Sequence, residues 1–144
     1  MCNDNPELPE TTQKANLELK ICDAVIDCIE GDKYDMKKDY KNAVNAYRAS
    51  AENGYPKAQL ALAEYLRDGL GLDKNQAESS KWLVKSASAA YTPALINLGL
   101  DLIEGSGVNQ DVQEGIRCIG IASVLGDPRA DFLVGLFYLE GFWY

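Results

Sequence analysis

Residues 94–111 read ALINLGLDLIEGSGVNQD, and the fold turns on them. Ala94, Leu95, Leu98, Gly99 and Leu102 follow the spacing of one helix face. Gly105 stands where that helix should stop, since glycine accepts the left-handed conformation that closes a helix. Asp111 stands where another should start, as an N-cap whose carboxylate can take the first free amides. Glu114 follows three residues later and completes a capping-box-like signal. A second helix is expected over about 111–125, closed by Gly126.

The same design recurs at a fixed offset of 36 residues. Ala58, Ala94 and Ala130 share one register, Ala63, Gly99 and Gly135 a second, and Gly69, Gly105 and Gly141 a third. Gly54, Ala90 and Gly126 fall into line, as do Tyr47, Leu83 and Ile119, and the caps Asp39, Asn75 and Asp111. No insertion is needed anywhere. The small residue shared by Ala63, Gly99 and Gly135 predicts close approach of a neighbouring helix. Pro56, Pro93 and Pro128 fall in the tight turns or at the start of the helix that follows. The unit is helix, glycine loop, helix, tight turn.

The residues of this unit resemble the Sel-one-like (Sel1-like) repeat, a branch of the tetratricopeptide-like helical repeats. The resemblance rests on the double-glycine loops Gly69/Gly71 and Gly105/Gly107, followed by Leu72 and Val108, with Leu62, Ala77, Trp82 and Ala87 in register. It implies an all-α fold: a right-handed superhelix, or solenoid, of helix pairs. The units are about 16–56 (degenerate), 57–92, 93–128 and 129–144 (incomplete), after a flexible polar segment over 1–15. The first helix of the degenerate unit is expected at about 16–30. Gln113 and Gly115 depart from the alanine-rich pattern and predict a loose helix over 111–125. The cysteines do not recur at the repeat offset, so a disulfide in every repeat is not indicated.

Composition narrows the function. Hydrophobic residues make up 47% of the 144 and charged residues 25%, the balance of a globular domain. No run of about 18 apolar residues exists, so no membrane span is expected. Histidine is absent, which removes histidine triads and most zinc chemistry. The net charge is −8, a poor match for nucleic acid. Residues 1–32 hold eight acids against two bases, 33–85 seven against ten, and 86–144 seven against two. Acidic ends suit a basic partner by electrostatic steering.

Of the cysteines, Cys22, Cys28 and Cys118 read as small hydrophobes of a reducing compartment, and none forms a CxxC pair. As written, the chain shows no signal peptide, so a cytoplasmic location is expected. If Met1 replaces such a leader, Cys2 would be the lipidated residue of a periplasmic lipoprotein.

Catalysis finds no support. The carboxylate pairs Asp101 with Glu104 and Asp23 with Asp27 read as solvated helix faces, and the Gly105–Gly107 loop lacks a P-loop lysine. Tyr47 and Trp82 occupy equivalent or adjacent core registers. No enzyme activity, cofactor or metal is expected. The resemblance implies a protein-interaction module, a bacterial-type adaptor or scaffold, with the first helix of each unit lining a concave surface. The partner-binding candidates are Leu60, Glu64, Arg67, Ile96, Leu100, Ile103, Phe132, Leu136, Leu139 and Trp143. An immunity protein that neutralises a cognate, basic toxin is the alternative. Phe142, Trp143 and Tyr144 either cover the last helix or protrude as contact residues, with a second copy docking at that end as a variant.

Overall fold

The computed structural model describes residues 9–141. These residues form seven helices: α1 (Glu10–Met36), α2 (Tyr40–Glu52), α3 (Pro56–Asp68), α4 (Gln76–Ser88), α5 (Thr92–Glu104), α6 (Val112–Val124) and α7 (Pro128–Glu140). No strand occurs among the described residues. Helices α2 to α7 are 13 residues each, and α1 is 27. The helices pair as α1/α2, α3/α4 and α5/α6, and each pair meets the helix that follows it. The chain is thus an all-helical repeat solenoid.

The boundaries follow from local chemistry. Gly69 (φ 71°), Gly105 (φ 73°) and Gly141 (φ 78°) close α3, α5 and α7 in the left-handed conformation. The Asn75 and Asp111 side chains accept from the amides of Glu78 and Glu114, at 3.1 and 3.0 Å. The reciprocal half of each capping box is replaced: the Asn75 and Asp111 amides donate to the Leu66 and Leu102 carbonyls at 2.8 and 2.9 Å, and the Glu78 carboxylate accepts from Arg48 Nη1 at 2.9 Å.

Helix α1 departs most from expectation. It starts at Glu10, so residues 10–15 are helical rather than part of a polar tail, and it runs past the expected end at 30 to Met36. Gly31 does not stop it, because Gly31 serves packing. A Cβ there would lie 2.6 Å from Cε1 of Tyr47, so the glycine seats the aromatic ring. The Tyr47 hydroxyl donates to Asp32 at 2.8 Å, and Tyr65 packs edge-on against Tyr47, ring centroids 5.5 Å apart. Tyr65 donates in turn to Asp35. These rings join Cys28, Ala43, Val44, Leu62 and Leu66 in the amino-terminal core.

A second core gathers Leu60, Ala63, Leu83, Leu95, Ile96 and Ile119. Trp82 packs against both cores. Buried serines fasten the helices together: Ser50 donates to the Ala24 carbonyl at 2.5 Å, Ser79 to that of Ala63 at 2.6 Å and Ser86 to that of Pro56 at 2.7 Å.

Helix α6 is not loosened by Gly115. A Cβ on Gly115 would meet the Gly99 carbonyl at 2.6 Å, so the glycine permits close packing on α5. Gly135, expected as a third close-contact site, has nothing within 4 Å of its Cβ position. No helix among the described residues follows α7 to pack there.

Candidate partner-binding surface

The nine described residues of the ten singled out from the sequence do not form one surface. Leu60 (8% exposed) and Ile96 (7%) are buried in the second core with Ala63, Ala94 and Leu95. They are corrected from partner-binding to structural positions, because stacking of successive units takes them out of water. Ile103 is half-buried and faces α6, its Cγ1 lying 2.7 Å from where a Gly115 Cβ would be. Leu100 is half-buried and packs against the same core.

Glu64 and Arg67 make a polar patch on α3. The Glu64 carboxylate accepts from Asn97 Nδ2 at 3.4 Å, and Arg67 Nε donates to Asp68 at 3.3 Å. Burial raises the Glu64 pKa, and nearby Arg67 opposes the rise. Burial likewise raises that of Asp101, which is half-buried rather than solvated as expected.

Phe132 (66% exposed), Leu136 (36%) and Leu139 (86%) share one face of α7. Their spacing of four and three residues aligns them along the helix. The equivalent residues of α5 are Ile96, Leu100 and Ile103, all buried or half-buried. Trp143 lies outside the described residues.

Sequence reasoning missed the neighbouring surface of α6. Ile121, Val124 (88% exposed) and Leu125 project from it. With Ile116 and Val134 they line a groove of about 890 Å³, whose polar rim includes Glu114 and Arg117. The signal was available: residues 118–126 carry no charge, so a helix there must present apolar side chains to its outer side as well.

Cys28 and Cys118 are buried free thiols whose pKa burial pushes up, but Cys22 is exposed, contrary to its expected place in the core. Among the described residues, no group of three His, Cys, Asp or Glu side chains is placed to hold a metal ion. None of the described helices is long and apolar enough to cross a membrane.

This geometry has solved counterparts. A Sel1 repeat protein from Oxalobacter formigenes superposes with a TM-score of 0.78 at 34% identity, over 82% of this chain and 50% of that one. The chain is a Sel1-like repeat protein. A protective antigen present in uropathogenic Escherichia coli, displaying the same repeat fold, aligns with a TM-score of 0.65 at 33% identity, over 68% of this chain and 21% of that one. An exopolysaccharide production negative regulator from Rhizobium leguminosarum bv. viciae is 31% identical, over 72% of this chain and 46% of that protein. This Sel1-like chain thus spans half or less of the length of each of these relatives. No family model matches it. The fold is that of a protein-interaction repeat module.

Proposed function

We propose that this Sel1-like protein is a non-enzymatic adaptor or scaffold that binds a partner protein across α6 and α7. The observation that carries the reading is the concentration of exposed apolar side chains there. Val124 and Leu125, at the end of α6, line the 890 Å³ groove, and Phe132, Leu136 and Leu139 stand exposed on the adjacent helix α7. Exposed large apolar side chains gathered on neighbouring helices and bordered by polar groups mark protein-binding sites. The repeat supplies a rigid frame, and affinity would come from a few large side chains buried at the centre of the contact. Arg117 and Glu114, 3.5 Å apart at the rim, would set orientation more than strength. The likeness to a regulator of exopolysaccharide production is compatible with this reading.

The test uses the full chain immobilised beside a Phe132→Glu, Leu139→Glu variant. Both positions are exposed, so the helical circular-dichroism spectrum should stay native. The expected result is a partner retained by the parent protein and lost from the variant. Equal retention by both overturns the reading. Sedimentation of the parent alone separates a foreign partner from a second copy, which would appear as self-association that the variant abolishes.

A further inference from the structure

Helix α1 carries two apolar faces. One holds Ala24, Cys28 and Gly31, buried beneath α2. The other holds Leu19 (62% exposed), Cys22, Ile26 (55%) and Ile29 (48%), all facing solvent. Their spacing of three, four and three residues draws a straight seam along the helix, the pattern by which one helix receives another. Lys33, the next position on the line, ends it. The seam lies on α1 alone and is separate from the α6/α7 surface.

Carboxylates border the seam. Asp23, Asp27 and Glu30 run along one side, and Glu18 stands on the other. None of the four forms an ion pair among the described residues. Asp32, further round the helix, is engaged by Lys57 at 2.7 Å and by Tyr47. Lys20 and Lys33 stand one turn from Asp23 and Glu30 without pairing with them, so four acids against two bases leave the border of the seam acidic, and that specifies its complement.

We propose that the Leu19–Ile29 seam of α1 docks an amphipathic helix of a partner protein whose apolar stripe is flanked by lysine or arginine. Charge selects this occupant over the others. Two copies of α1 pairing through this seam would set Glu18, Asp23 and Glu30 against the same acids in either direction, and like charges oppose that pairing. An anionic bilayer surface is repelled for the same reason. A helix with basic flanks buries the seam and neutralises its borders together.

The experiment uses the full chain and two synthetic three-heptad peptides with leucine on the seam, one with lysine and one with glutamate at the flanking positions. Binding is read by fluorescence anisotropy. The lysine peptide should bind at least roughly tenfold more tightly than the glutamate peptide, and weaken as salt rises from about 0.05 to 0.5 M. Ile26→Gln with Ile29→Gln keeps every charge and should lose roughly tenfold in affinity. Asp23→Asn with Glu30→Gln keeps the seam and should narrow the preference between the peptides. A second readout needs no variant: the lysine peptide should slow alkylation of Cys22, followed by mass spectrometry of the fragment that contains it. Equal affinity for both peptides, unchanged binding after the isoleucine substitutions, or an unprotected Cys22 overturns the proposal. So does self-association abolished by those substitutions, or binding to phosphatidylglycerol vesicles without preference for the lysine peptide.

Discussion

Gly99 and Gly115 meet backbone to backbone. A Cβ on Gly99 would lie 2.8 Å from the Gly115 carbonyl oxygen, and one on Gly115 would lie 2.6 Å from that of Gly99. Each glycine makes room for the other's main chain, and Ile119 closes the contact from the side, its Cγ1 2.6 Å from the Gly99 Cβ position. Helices α5 and α6 approach each other through this gap.

Substitution should therefore be costly at this pair and tolerated at Gly135. Gly99→Leu and Gly115→Ala are each expected to destabilise by about 1–3 kcal/mol through overpacking. Gly135, also within a helix, has open space around it, and Gly135→Ala should stabilise by about 0.5–1 kcal/mol through the gain in helix propensity. Urea midpoints decide it. An unmoved midpoint in Gly99→Leu contradicts the assigned contact.

The tyrosines of the amino-terminal core give an alkaline signature. Burial and the hydrogen bond to Asp32 raise the Tyr47 pKa far above the ordinary phenol range, and burial with Asp35 does the same for Tyr65. A raised folded-state pKa gives stability that is whole below the unfolded value, near 10, and lost as pH climbs toward the folded one. Absorbance at about 295 nm should thus show these two phenols ionising only with unfolding, seen in parallel circular dichroism. In Tyr47→Phe the unfolding midpoint should fall at neutral pH. Phenolate formation by all tyrosines in the folded protein would refute the buried pairing.

Two carboxylates should respond to acid in opposite senses. Hydrogen bonds from Arg129 and Thr92 lower the Asp127 pKa well below the carboxylate range. Its stabilising effect is present above the ordinary value of about 4 and lost as pH falls through the folded one. Asp127→Asn should lower Tm at about pH 7, with the gap to the parent closing in strong acid. Glu64 is raised by burial, so it favours the fold when protonated and costs stability once pH rises through its folded pKa. Glu64→Gln should raise Tm at about pH 7 and leave it unchanged near pH 3.5. Parallel melting curves for parent and variant across that range would contradict either assignment.

Much of the repeat was legible because its punctuation is local chemistry. Asn75, Asp111, Gly69 and Gly105 act where they stand, so their roles follow from a few neighbours in sequence. The surface was less legible. Leu60 and Ile96 are buried in a core that gathers residues from α3 to α7, across successive units. Helical periodicity shows that two faces differ but not which neighbour covers each. The end of the first helix, expected at about 30, moved to Met36 for a related reason: Gly31 inside it seats the ring of Tyr47, 16 residues away in sequence. The exposed surface of α6 was legible in the uncharged run over 118–126, which fixes the amount of apolar surface but not its direction.

Helix α1, at 27 residues, is about twice the length of the 13-residue α2 packed against it. At about 1.5 Å per residue it extends some 20 Å further. Ser50, near the end of α2, bonds to α1 at Ala24, so the turns before Ala24 reach beyond that partner. Their main-chain hydrogen bonds are satisfied within the helix, yet little tertiary packing protects them. Backbone amides over residues 14–23 should exchange with deuterium early, long before those of α3 and α5. That contrast makes the overhang a native reporter: a molecule that settles on α1 would register as slowed exchange over those few turns, without label or substitution.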